Sequence, residues 1–260
     1  MGAFDDLIDR SIGIALDKQS YLTEQIGGWE WQPNMDEGSM TFRKGGATRV
    51  SPFQILGTEG YADKTWLWGW SGDGMPARLL RTAGMLRALG DQHRMAELRS
   101  AVQSLNAVSG HMFGWIATAL SGGPGYFKGA YAGGALFVLL QSGELVEEVE
   151  SGLVRVLAFW PEVLAQGGPF IIDQKLALRS YAEARGCKVR DERDGSLVVS
   201  DEGASFRAVF DKNGATKELI PDFDLDDDED DEDEDGVEKE LAALLAGLGG
   251  GDDDLGDDDP

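Results

Sequence analysis

Few residues in this chain could carry chemistry, and the most distinctive ones crowd into one stretch. Gln54-Ile55-Leu56-Gly57-Thr58-Glu59 is followed by Thr65-Trp66-Leu67-Trp68-Gly69-Trp70. On a strand, alternation sends Trp66, Trp68 and Trp70 to one face and Leu67 and Gly69 to the other, and Trp29 and Trp31 would stripe a neighbouring strand in the same way. Five indoles on one sheet could line an aromatic groove for a small ligand, with Glu59 as a lone acid whose pKa an apolar cleft would raise. The same side chains, each burying about 150 to 250 Å², suit a core beneath helices equally well, and core packing is the commoner fate of clustered large aromatics. Glu59, close to Gly57 and Gly60, also reads as a turn carboxylate in water.

The remaining repertoire is sparse. His93 lies in a charged helix, His111 opens an apolar stretch, and Cys187 is the single cysteine, which excludes Cys/His zinc sites and disulfide frameworks. No second carboxylate, histidine or nucleophile stands at a recognisable spacing to complete a mechanism around Glu59. No catalytic, cofactor-binding or metal-binding residue is therefore assigned, and no cofactor is expected. Gly125-Tyr126-Phe127-Lys128-Gly129 lacks the spacing of a phosphate-binding loop and reads as a flexible connection. Asp231-Glu232-Asp233-Glu234-Asp235-Gly236 imitates the first half of a calcium loop, but Ala242 stands where a bidentate Glu is needed, and the calcium site is rejected.

The elements that must position these residues follow from apolar period and turn chemistry. Phe4, Leu7, Ile8, Ile12, Ala15, Leu16 and Leu22 recur at helical spacing, and Gly27-Gly28 stops that run, so a helix is expected over 4–26. Short strands are expected at 29–31, 39–43, 49–56 and 64–71, in an antiparallel meander because the connections are too short for crossovers. Pro76 should open a helical pair, with Gly90 ending its first member and Asp91 capping a second that runs to Leu105. Residues 111–120 and 130–140 are apolar without helical period and are read as two buried strands. Helices are expected over 144–157, broken by Trp160-Pro161, and over 172–185, ended by Gly186. Asp194-Gly195 and Asn213-Gly214, flanked by alternating apolar residues, mark a final antiparallel meander.

The expected fold class is therefore α+β, with helices packed on antiparallel meander sheets. A boundary near Ser142-Gly143 divides a Trp-rich domain at 1–142 from a smaller helix-plus-hairpin lobe at 143–221. Residues 222–260 form an acidic tail expected to be disordered.

Charge is segregated in the same way. The 260 residues carry 47 acidic and 23 basic side chains, a net charge of -24. Residues 222–260 hold 20 of the acids against Lys239 alone, or -19, which leaves 27 acids and 22 bases, or -5, in the preceding 221 residues. So dense a run of acids repels itself and stays extended. One island differs: over 237–248, Val237, Leu241, Leu244, Leu245 and Leu248 share one helical face, a candidate for docking on a partner. An isolated helix of about 12 residues is marginal in water, so the competing reading is a transient helix that touches nothing.

The helix, the Trp-containing strand, the Q-x-x-G-T-E segment and the T-W-L-W-x-W strand before a Pro-started helix resemble an uncharacterised bacterial family of unknown function. The resemblance covers about positions 4 to 105 and rests chiefly on residues 54–70. It implies a bacterial cytoplasmic α+β domain and supplies no catalytic residues.

Three function classes are compatible with these features. The first is a non-catalytic cytoplasmic interaction module of adaptor, secretion-chaperone-like or immunity type, its acidic tail engaging a basic protein partner. The second is a small-ligand binder or enzyme using the Trp-lined sheet, with Glu59 and His111 as polar groups. The third is a polyanion that mimics nucleic acid. Direct nucleic-acid binding is disfavoured for a body of -5, because phosphate neutralisation needs a basic face. The N-terminus has neither a basic nor an apolar signal region, and the longest apolar run, 130–140, is too short for the roughly 20 residues that span a bilayer. A cytoplasmic protein without membrane contact is expected, as a single unpaired cysteine also suits a reducing compartment.

Overall fold

The computed structural model describes residues 2–72, 74–145 and 152–223. Its first element, α1 (Ala3–Ile26), buries Ile8, Ile12, Ala15, Leu16 and Leu22 along one stripe, as its period requires. Asp5 and Asp6 lie in its first turn, where the helix dipole favours acids. Four strands follow: β1 (Glu30–Asn34), β2 (Ser39–Lys44), β3 (Ala47–Gly60) and β4 (Thr65–Trp68), each antiparallel to the next.

The segment after β4 departs from expectation. Helix α2 (Arg81–His93) runs past Gly90 and ends at Arg94, whose φ of 58° is left-handed. Gly90 does not stop the helix; it makes room for α3 (Ala96–Arg99), since a Cβ there would stand 2.6 Å from that of Leu98. Asp91 is inside α2 and pairs with Arg99 at 2.9 Å instead of capping a second long helix. That helix is replaced beyond Arg99 by β5 (Val102–Ser104), which extends the sheet beside β4.

Residues 111–120 are not a strand but the body of α4 (Gly110–Ser121). Ser109 caps it by accepting the Met112 N–H, and Gly122 closes it at φ 70°. Residues 113–118 are buried without a break, and a stretch of helix buried all round shows no amphipathic period. The Gly125 to Gly129 segment is likewise not a flexible connection: it belongs to β6 (Gly125–Tyr131), which pairs with β7 (Gly134–Leu140) through a tight turn. β7 also pairs with β3, completing a seven-stranded sheet.

A β-bulge in β3 at Leu56 decides which residues face which core. Ile55 opposes Val138, but Gly57 opposes Phe137, so one extra residue enters β3 between them. The parity of the strand is thereby reversed. Phe53 and Ile55 join Phe42, Met40, Val138 and Leu140 in one apolar cluster. Glu59, beyond the bulge, turns to the opposite face, towards α4.

Helix α5 (Leu153–Gly167) continues through Pro161 rather than breaking there. Proline removes one hydrogen bond from the ladder, but Val156, Leu157, Trp160 and Val163, buried on both sides of it, hold the two halves together. Helix α6 (Gln174–Ala184) is capped by Asp173, and Gly186 follows it at φ 88°. The last strands, β8 (Lys188–Asp191), β9 (Leu197–Asp201), β10 (Ala204–Phe210) and β11 (Thr216–Phe223), form a four-stranded sheet in the order β11-β10-β9-β8. Gly195 and Gly214 occupy its turns at φ 90° and 82°, as the Asp-Gly and Asn-Gly signals require.

The architecture is α+β, with antiparallel sheets. Residues Met1–Asp222 make one compact unit. Within it, α1 packs on α4 and also on α5 and α6, so one helix serves both sides of Ser142-Gly143. No helix among the described residues is long and apolar enough to cross a membrane. The island of Val237, Leu241, Leu244, Leu245 and Leu248 lies outside the described residues.

Candidate functional site

Glu59 reaches its site because the bulge aims it at the N-terminus of α4. The residue is 6% exposed, opposite Trp66 on β4 and Ala135 on β7. Its Oε1 accepts the Gly110 N–H at 2.9 Å, one of the amides that a helix leaves without an internal partner. Its Oε2 lies 3.1 Å from the Lys128 Nζ, which extends from β6 and remains one-third exposed. The carboxylate is thus neither free in water nor unpaired in a cleft: it joins helix to sheet.

His111, the next residue of α4, stands beside it. Its Nδ1 is 2.6 Å from the Tyr126 hydroxyl, and its ring is boxed by Phe137 at 5.4 Å, Tyr126 at 5.7 Å and Trp115 at 6.5 Å. Burial lowers the imidazole pKa below its ordinary 6.5, the Lys128 cation pushes in the same direction, and Glu59 opposes both. Burial also raises the Tyr126 phenol far above its usual range. The neutral pair is therefore favoured, with the phenol available as donor to Nδ1. Glu59, Lys128, His111 and Tyr126 form a polar cluster in an otherwise aromatic layer, and Lys128 is its route to solvent.

The tryptophans do not share one groove. Trp66 and Trp68 are fully buried, edge-on to each other at 5.4 Å, and each packs against Phe113 of α4, at 4.9 and 4.6 Å. Glycines make this packing possible: a Cβ at Gly57 would stand 2.5 Å from the Trp66 ring, and one at Gly110 2.6 Å from Phe137. Trp70 is on a short 3-10 turn, half-buried, stacked on Trp68 at 6.3 Å and covered by Arg87 at 4.4 Å. Trp29 and Trp31 belong to the other apolar cluster, with Arg49 5.4 Å from the Trp29 ring and Trp31 edge-on to Phe127 at 5.5 Å.

A second buried polar group was not legible from spacing. Asp17 of α1 is fully buried and accepts from Arg155 Nε of α5 at 2.9 Å, from Arg185 Nε after α6 at 2.7 Å and from the Tyr181 hydroxyl at 2.6 Å. Arg155 also lies 4.7 Å from each of the Tyr21 and Phe159 rings. Burial, and then the Asp17 charge, raise the Tyr181 phenol. Asp9, about two turns earlier on α1, accepts the Ile172 and Asp173 N–H groups at 3.0 and 2.9 Å, and burial raises its pKa despite these bonds. These carboxylates knit α1 to α5 and α6. The one cysteine is buried, and burial, with the Asp201 charge, pushes its thiol up to about 11, the condition of an inert side chain. Among the described residues no group of three or more His, Cys, Asp or Glu could hold a metal ion.

No curated protein and no solved structure matches the chain. Residues 5–143 match the model of a family of unknown function, DUF6882, and the chain belongs to that family.

Proposed function

We propose that this member of DUF6882 is a non-catalytic interaction protein of the bacterial cytoplasm whose acidic C-terminal segment engages a basic protein partner. The observation that carries this reading is the segregation of charge: -19 of the net -24 lies in residues 222–260. A field of that density raises the rate at which a basic partner is encountered and suppresses acidic competitors. The geometry of the body supports the same reading. Trp66 and Trp68 are spent on packing against Phe113, and the buried carboxylates Glu59, Asp9 and Asp17 are each engaged in holding helices in place.

One observation favours a second reading, a small-ligand binder. Lys128 and His111 are half-buried side by side at the mouth of the Glu59 cluster, a place where an anionic group could replace the Glu59 carboxylate as partner of the ammonium.

A pull-down with the full chain and with a chain ending at Phe223 separates the two. Capture of a basic protein that is lost with residues 224–260 supports the interaction reading. Capture unchanged by the truncation, together with a small anion retained through purification and released by Lys128→Gln, supports the ligand reading instead.

A further inference from the structure

Among the described residues, β1, β5, β6, β8 and β11 each pair on one side only and stand at sheet edges. An edge presents a row of unpaired N–H and C=O groups, and folds blunt such rows by shortness, proline or a charge turned inward. β5 and β8 have three and four residues, β1 carries Pro33, and β6 turns Lys128 towards Glu59. β11 differs. It is eight residues long, and the acidic segment follows it in the chain.

Two hydrogen bonds fix which of its groups face outward. The Asp211 N–H bonds the Ala215 carbonyl, so Ala215 faces β10, while the Thr216 N–H turns away to Gln174 Oε1 at 2.7 Å. By alternation Glu218 and Ile220 share the direction of Thr216, and their N–H and C=O groups form the outer row. Pro221 shares the direction of Ala215, so its missing N–H is on the β10 side and the outer row stays whole. Among the described residues no other backbone group pairs with that row.

The side chains along the row define what fits it. The Thr216 hydroxyl accepts from Trp160 Nε1 of α5 at 3.3 Å, so Thr216, Glu218 and Ile220 project on the α5 side of the sheet. Ile220 is 40% exposed, Glu218 is exposed, and among the described residues no cation is paired with Glu218. An added strand needs an apolar residue against Ile220 and, two positions away on the same face, a basic one against Glu218. Self-pairing of two copies through this row would instead bring together two segments of -19 each.

We infer that the basic partner adds an extended segment to the free edge of β11, with basic and apolar residues alternating along its inner face. That the partner is basic rests on the interaction reading above; the place of the contact rests on the edge. The acidic segment attracts such a chain, and the main-chain bonds of the edge give it a register.

The test uses the ¹⁵N-labelled full chain and the peptide acetyl-Thr-Lys-Thr-Val-Thr-Lys-amide, with two further forms N-methylated on its odd or on its even residues. The expected result is saturable amide shifts over 216–221 and slowed hydrogen exchange at Glu218 and Ile220. One N-methylated form should bind and the other fail, because an added strand pairs through one of its two rows. Glu218→Gln, at an exposed position, should weaken the parent peptide by up to about fivefold. Equal binding of both N-methylated forms, or shifts confined to residues beyond 223, overturns the edge and leaves the acidic-segment reading standing. Exchange at Glu218 and Ile220 that slows with protein concentration alone gives the edge to a second copy and also overturns it. Edge binding by a chain whose pull-down ignores the loss of residues 224–260 keeps the edge and overturns the other reading.

Discussion

Glu59 bridges two elements far apart in sequence: its Oε1 accepts the Gly110 N–H at 2.9 Å while its Oε2 holds the Lys128 ammonium at 3.1 Å. Replacement by Ala leaves a buried helix amide without an acceptor and an ammonium without its partner. Because Lys128 is one-third exposed, water offsets part of the loss. A destabilisation of about 1 to 3 kcal/mol is expected in urea unfolding. Glu59→Gln, which keeps the amide's acceptor, should lose less than Glu59→Ala; equal losses would show that the charge and not the cap is what matters.

Trp66 fills its space only because Gly57 and Gly110 lack side chains. Trp66→Ala should cost about 3 to 5 kcal/mol, as truncation of a fully buried large aromatic does. Gly57→Ala should also destabilise, since its Cβ would meet the indole at 2.5 Å. Thermal unfolding of both variants checks this, and unchanged midpoints would mean that the indole is not packed as described.

Asp17 answers two guanidiniums and a phenol in a buried place. Asp17→Asn retains the shape and removes the counter-charge, and removing one partner of a buried ion pair costs about 3 to 5 kcal/mol. The loss should appear as a lower denaturation midpoint in urea. A smaller loss in the double variant with Arg155→Met than in Asp17→Asn alone would show that the unbalanced charge, rather than the missing contact, is the cause.

His111 gives the fold a specific pH dependence. Its folded pKa is depressed below 6.5, first by burial and then by Lys128, so the folded state prefers the neutral ring. The associated stability is fully present above pH 6.5, its ordinary pKa, and is lost as pH falls through the lower folded value. Urea unfolding of the wild type against His111→Gln, at pH values on both sides of that window, should show a difference that shrinks on acidification. A difference that grows as pH falls would mean that the ring is stabilised as a cation.

Much of this fold was legible in the chain because local chemistry and global packing agree there. The α1 stripe, the Gly27-Gly28 stop, the Asp194-Gly195 and Asn213-Gly214 turns and the end of α6 at Gly186 each follow from a residue type that one backbone conformation needs. Helix α4 was hidden because residues 113–118 are buried without a break, which erases its period. Ser109 before it and Gly122 after it were the signals that could have found it. The strand Tyr126-Phe127-Lys128 was hidden by its flanking glycines, and with it the partners of Glu59 and His111. The Leu56 bulge was the least legible feature, since only the register with β7 reveals that Glu59 and Ile55 face opposite ways. Asp17, Arg155, Tyr181 and Arg185 meet across more than a hundred residues of chain, and no local spacing encodes that meeting.

The acidic segment should contribute to binding and not to the stability of the body. β11 runs to Phe223, so a chain ending there keeps every described strand whole. Its thermal midpoint should match that of the full chain. A lower midpoint, or loss of cooperative unfolding, would give the acidic segment a structural role.

The most direct measurement is calorimetric titration of the captured basic protein into the full chain and into the chain ending at Phe223, each at low and high salt. The account predicts that the full chain binds more tightly at low salt and that the advantage collapses as salt screens the acidic segment. Equal affinity of the two chains at both salt concentrations would contradict it, because residues 224–260 would then take no part in recognition.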